Sequence, residues 1–153
     1  NDAMKLSLLI TDNLGLDTSE IPMQIFARAD LLFYQNNFVQ CNLSLDSILN
    51  VFQGHSLTDE ILFRKSKIYL KTNNIQKAVE SLEKIIKEFS YDILADDAIF
   101  TLAEIFQKKI KNNEKAKDLY EKILTEHKGS IYSAEARKRF RKLRGDDVEK
   151  ATL

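Results

Sequence analysis

A spacing of 37 residues runs through this chain and restricts what it can fold into. Asn36-Asn37 and Asn73-Asn74 lie 37 apart, and their surroundings match. At that offset Ile25 meets Leu62, Phe26 meets Phe63, Ala29 meets Ser66 and Leu32 meets Tyr69. Cys41 then meets Ala78, Leu45 meets Leu82, Ile48 meets Ile85 and Phe52 meets Phe89. The next step brings in Ile99, Phe100, Ala103 and Phe106. After Phe106 one residue is added in the turn, and Ala116, Tyr120 and Ile123 follow at an offset of 38. Leu57, Leu94 and Tyr132 correspond, as do Gly54 and Gly129. Size classes kept in register over three units mark an internal repeat, which is sought before any local assignment.

Each unit carries two apolar stripes at i, i+3, i+4, i+7 spacing, the mark of two amphipathic helices. Small residues (Ala29, Ser66, Ala103; Cys41, Ala78, Ala116) let the two helices approach, and large ones fill the space beside them. One pair cannot bury its outer face, so units must stack. The pattern predicts helices over about 2–13, 21–35, 38–53, 57–71, 75–89, 94–110, 114–127 and 131–143. Pro22 is tolerated in a first turn. Ser56 with Asp59 reads as a short capping pair, and Gly54 and Gly129 fall where helices should end. Few breakers (four Gly, one Pro) agree with a mostly helical chain. Met4–Ile10 begins like a signal segment but stops at Thr11-Asp12-Asn13, and reads as helix. A helical pattern under way at Asp2 marks the chain as a piece of something longer. No apolar run nears the ~20 residues of a membrane span.

These residues resemble the tetratricopeptide repeat (TPR). Ser66-Tyr69-Ala78-Leu82-Ile85 fits its pattern without a gap, Ala103-Phe106-Ala116-Tyr120-Ile123 with one insertion, and Ala29-Leu32-Cys41-Leu45-Ile48 more loosely. The resemblance covers about residues 20–144. It implies an all-α fold, a right-handed α-α superhelix (TPR solenoid) of about three helix pairs with an N-terminal helix and a C-terminal capping helix. As one domain over 1–153, it divides into an N-terminal helix (1–15), repeats at 20–54, 57–91 and 94–129, a capping helix (131–145) and a flexible tail (146–153). Two departures stand out. The period exceeds 34, with the extra length mostly between helix B and the next helix A, and the Pro that usually ends helix B is absent, with Ser90 and Lys128 near its place. The segment from Ile93 to Gly145 is also similar to long-period repeats of bacterial envelope proteins such as the outer-membrane assembly lipoproteins of the BamD (YfiO) type. That likeness implies a periplasmic or outer-membrane-associated location; without it the chain reads as cytoplasmic.

No convergent set of nucleophile, base and orienting group is visible, so the chain reads as non-catalytic, with no metal or cofactor. Cys41 stands where the other units have Ala and reads as a buried small residue. It is the sole cysteine, which rules out an internal disulfide and fits a reducing compartment without excluding an oxidising one. His55 and His127 fall between helices, far apart in sequence and without partners at metal-ligand spacing. Asp96-Asp97 sits at a helix start, where negative side chains suit the helix dipole. No Gly-rich phosphate loop is present.

Formal net charge is zero, which excludes a chain-wide electrostatic grip on nucleic acid or acidic lipid. Charge is segregated, however. Between Ile131 and Gly145, Arg137, Lys138, Arg139, Arg141, Lys142 and Arg144 face only Glu135. The functional readings of this basic helix are nucleic acid, anionic membrane or an acidic partner. The plainer reading is a cap whose apolar face (Tyr132, Ala136, Phe140, Leu143) closes the third repeat.

In TPR arrays helix A lines the concave binding surface, and the resemblance places its exposed positions at Phe26, Asp30, Phe33, Phe63, Lys67, Leu70, Phe100, Glu104 and Gln107. Phe26, Phe63 and Phe100 form either an apolar ladder for a bound segment or packing between successive A helices. The carboxylate clamp of some TPR proteins needs Lys and Asn at positions that here hold Phe26, Asp30, Phe63, Lys67 and Phe100. The implied ligand is therefore apolar or mixed in charge. The reading is a protein-interaction scaffold in a bacterial, envelope-associated complex, with a nucleic-acid or anionic-membrane adaptor as the alternative.

Overall fold

Turn chemistry sets where the helices begin and end in the computed structural model, which describes residues 20–146. The helices are α1 (Glu20–Tyr34), α2 (Phe38–Val51), α3 (Thr58–Lys71), α4 (Ile75–Glu88), α5 (Ala95–Ile105), α6 (Asn113–Glu126) and α7 (Ser133–Arg144). A π-helical turn, Phe106–Ile110, prolongs α5. No strand occurs among the described residues. The helix expected near the N-terminus and the tail from 147 onward lie outside them.

The Asn pairs have a defined job. Asn36 and Asn73 adopt positive φ (59° and 58°), the left-handed conformation that Asn tolerates better than most residues. The second Asn of each pair is an N-cap: Asn37 and Asn74 accept from the amides of Gln40 and Lys77, both at 3.4 Å. In the third unit Asn112 is the cap, accepting from Lys115 N at 3.1 Å, while Lys111 takes the left-handed position with φ 63°. Asn113 already belongs to α6.

The extra residue of the third unit is not in the turn, where the sequence pattern put it. It is absorbed inside the helix as the π turn. Asn37 N–H donates to Leu32 O, five residues back, at 2.9 Å, whereas Asn112 N–H reaches Phe106 O, six back, also at 2.9 Å. The aligned carbonyl is served by the aligned amide with one more residue wound between them. Single-turn π insertions of this kind accommodate one residue without ending a helix.

Length between helix B and the next helix A is also explained. Two consecutive tight turns recur three times: His55 N to Phe52 O and Thr58 N to His55 O; Asp92 N to Phe89 O and Ala95 N to Asp92 O; Ser130 N to His127 O and Ser133 N to Ser130 O, all near 3.0 Å. They satisfy helix-end groups that a Pro-terminated helix would handle otherwise. The expected Ser56–Asp59 cap does not form. Leu57 holds the N-cap position of α3 with no side-chain bond. Just before the helix, His55 Nδ1 accepts from Leu57 N at 3.1 Å.

The described residues fall into two compact units, divided between Thr72 and Asn73. In the first, α1 packs on α2, and α2 on α3. Its core is Ile25, Ala29, Cys41, Leu45, Ile48, Ile61 and Ile68, all buried. Cys41 Sγ–H donates to Ala29 O at 3.1 Å, so the small positions do bring the helices together. Lys65, also buried, bonds Asn42 and Asp46 on α2, each at 2.6 Å. In the second unit α4 packs on α5, α5 on α6 and α6 on α7. Ala78, Leu82, Ile85, Ala98, Ile99, Ala103, Ala116, Tyr120, Ile123 and Ala136 are buried there.

The shortest of the three Asn caps belongs to α6. Replacing Asn112 by Ala is expected to destabilise the protein by about 1 kcal/mol. Denaturant unfolding checks this, and a change near zero would mean that the side chain does not cap.

Candidate interaction surface

On α1 and α3 the expected surface residues form a partly open cluster. Arg64 reaches across to Asp30: Nη2 donates to Oδ2 at 2.9 Å, and Nε lies 2.7 Å from Oδ1 as an ion-pair contact outside hydrogen-bond geometry. The same guanidinium lies 4.6 Å from the centre of the Phe33 ring and 5.7 Å from that of Tyr34. Phe26, Phe33, Phe63 and Leu70 are half-buried. Lys67 is exposed, with its ammonium 4.6 Å from the Phe63 ring centre. Tyr34 and Leu31 stand out at 73% and 58% exposure.

Of the equivalent positions in the second unit, Phe100 is buried, while Glu104 and Gln107 are half-buried and held by hydrogen bonds. Phe100 is only 9% exposed and stacks on Tyr132, with centroids 4.4 Å apart and planes 14° apart. For this residue the structure favours packing over an open ladder. Glu104 accepts from Lys108 at 2.5 Å and from Arg139 at 2.9 Å. Gln107 Oε1 accepts the Tyr120 hydroxyl at 2.8 Å, and Arg139 donates to the same hydroxyl oxygen at 3.2 Å. Burial alone would push the Glu104 carboxyl up. The hydrogen bonds and charges of Lys108 and Arg139 outweigh it and hold the group below its ordinary range. Burial raises the Tyr120 hydroxyl despite Arg139. Tyr132 donates to Asp97 Oδ1 at 2.5 Å, and that bond, with burial, raises its hydroxyl to about 12.

Arg139 is therefore not part of the water-facing basic face expected of α7. It turns inward to Glu104, Glu135 and Tyr120. Arg137, Lys138, Arg141, Lys142 and Arg144 remain exposed, and Arg144 pairs with Asp146. On the apolar face, Ala136 is buried while Tyr132, Phe140 and Leu143 are half-buried.

Sequence reasoning missed Arg64 altogether, and it placed Arg139 on the basic face without seeing its inward role. Arg64, Thr101 and Arg139 are aligned by the repeat, as are Asp30, Lys67 and Glu104. Asp30–Arg64 and Glu104–Arg139 are thus the same helix-A to helix-A ion pair at two places. An acid followed 34 or 35 residues later by Arg was the available signal.

Chemistry is sparse elsewhere. Burial pushes the Cys41 thiol up to about 11, which leaves it protonated and unreactive at neutral pH. Asp96 accepts the Asp97 amide at 2.9 Å at the start of α5. Among the described residues no group of His, Cys, Asp and Glu is arranged to hold a metal. None of their helices is long and apolar enough to cross a membrane. A cleft of about 300 Å³ in the second unit has Ile86, Leu102, Phe106 and Leu119 among its lining, with acids and lysines of both signs such as Glu83 and Lys87.

Repeated helix pairs, small residues at their contacts and ion pairs linking successive A helices define an all-helical repeat protein of the α-solenoid class. The family described as "Tetratricopeptide repeat protein 21 ARM repeat" matches residues 16–123, and the chain belongs to that family. A search of curated proteins found no match. Helical-repeat families of this kind are typically non-catalytic interaction domains. The family match lends no support to the bacterial envelope type that the long period resembles.

Proposed function

We propose that the chain is a protein-interaction scaffold whose binding surface is the exposed helix-A face of the first unit, formed by Phe26, Asp30, Phe33, Phe63, Lys67 and Leu70. One observation carries this choice. The aligned residues Phe100 and Glu104, with Gln107, are engaged by Tyr132, Arg139 and Tyr120, whereas Phe26, Phe33, Phe63 and Leu70 are half-open beside an exposed Lys67. Aromatic faces with both charges alongside suit an extended or helical segment of apolar and mixed-charge character. Phe100, Glu104 and Gln107 then support the fold of the second unit rather than touch the ligand.

Photocrosslinking tests this reading. A photoreactive residue at position 63 or 67 is expected to capture the same partner proteins, and Phe26→Ala with Phe63→Ala is expected to weaken capture at least about tenfold, as hot-spot aromatics do. The control position is Glu83 on α4. Capture no different from that control would sink the proposal.

A further inference from the structure

We infer that the outer cationic face of α7 seats an acidic α-helix of a partner protein, in the place where a helix B would lie. The inference is independent of the surface proposed on α1 and α3.

Register supports it. By the repeat, Arg137 aligns with Ile25, Leu62 and Ile99, and Arg141 with Ala29, Ser66 and Ala103. Arg144 aligns with Leu32, Tyr69 and Phe106. In α1 those positions face the helix that follows: Ile25 and Ala29 share a core with Cys41, Leu45 and Ile48 of α2. In α5 the aligned Ile99, Ala103 and Phe106 are all buried, and α5 packs on α6. In α7 the same stripe is arginine at i, i+4 and i+7, all exposed. The other face of α7, with Ala136 at its centre, packs on α6 as a helix A should. So α7 keeps the near side of a helix A and replaces its far side by guanidinium groups.

That substitution changes what can dock. An apolar helix B would strand the arginines without water. A helix with carboxylates at matching spacing can meet them at the reach of an Arg side chain, in the forked geometry that suits carboxylate. Arg137, Lys138, Arg141 and Lys142 form no ion pair among the described residues. Arg144 already holds one carboxylate through Nε and Nη2, that of Asp146. The one aromatic residue within α7, Phe140, is half-buried with the Arg144 guanidinium 5.2 Å from its ring centre, so the stripe offers no row of open rings of the kind on which single-stranded nucleic acid stacks.

The probe is an Ala-rich peptide of 14 residues, the length of α2, α4 and α6, with Glu at i, i+4 and i+7. Its control has the same composition with the Glu residues spread around the helix. The full chain is expected to bind the in-phase peptide about tenfold more tightly. Arg137→Glu with Arg141→Glu is expected to abolish that preference without lowering the melting temperature, since both side chains are exposed. If that pair melts lower, Arg137→Gln with Arg141→Gln takes its place. Equal affinity for the two peptides overturns the inference. So does tighter binding of a single-stranded oligonucleotide or of phosphatidylserine vesicles than of the in-phase peptide.

Discussion

Tyr120→Ala is expected to destabilise the protein by about 4 kcal/mol, the range of large-to-small changes at buried aromatics. Tyr120 is fully buried at 0% exposure. Its ring meets Phe100 edge-on at 5.8 Å, and its hydroxyl links Gln107 on the π turn after α5 to Arg139 on α7. Removal leaves a cavity between three helices and takes one hydrogen-bond partner from each of Gln107 and Arg139. In a repeat protein the loss should appear as early opening of α5 to α7 rather than as a uniform shift. Hydrogen exchange resolved by segment, alongside a melting curve lowered by about 10 °C, is the check. Tyr120→Phe separates the contributions: it keeps the ring and should cost about 1 kcal/mol for the lost hydroxyl contacts. A Tyr120→Ala protein as stable as the parent would mean that the three helices do not meet on this side chain.

Arg139→Ala is the second large effect, expected at about 2 kcal/mol. Its side chain is 21% exposed and that of Glu104 31%. The pair therefore lies between a surface ion pair, worth little, and a buried one, whose breaking costs several kcal/mol. A double-mutant cycle with Glu104→Ala should show coupling, because the two share one contact. Acid dependence gives a second readout. Glu104 is held below its ordinary value of 4.5. Its contribution to stability is present above that value and is lost as pH falls through the lower folded-state value. In Arg139→Ala this acid-side loss should shrink but not vanish, because Lys108 still bonds Glu104. An unchanged acid limb together with zero coupling would show that the cap is held by packing alone.

Much of the fold was legible because helix pairing depends on period and residue size, both written locally. The 37-residue ruler places Ala29 against Cys41 without coordinates, since only small residues allow that approach. It also found the extra residue after Phe106. It assigned that residue to the turn, because a π turn has no composition of its own. Only the Asn112 to Phe106 hydrogen bond distinguishes the two. The bond from Leu57 N to His55 was invisible for a similar reason: Ser56 and Asp59 have the right spacing, but backbone turns recurring in all three linkers already set the helix start.

The interaction surface was less legible. Helix phase put Phe26, Phe63 and Phe100 at one register position, yet register says nothing about which neighbours fold over it. Phe100 is covered because Tyr132, from the start of the cap, lies flat against its ring. Charge counting likewise treated α7 as one basic face. Which of its six cations turns inward depends on Glu104 and Tyr120, 35 and 19 residues away.

By itself, then, the sequence determined the repeat, the helix pairs and the small-residue contacts. These follow from patterns within about 40 residues, where side-chain size and helix phase act directly. Tertiary structure alone decided which equivalent residues are buried or ion-paired and which stay open. Burial and ion pairing depend on side chains brought together from separate repeats, so equivalent positions acquire different neighbours.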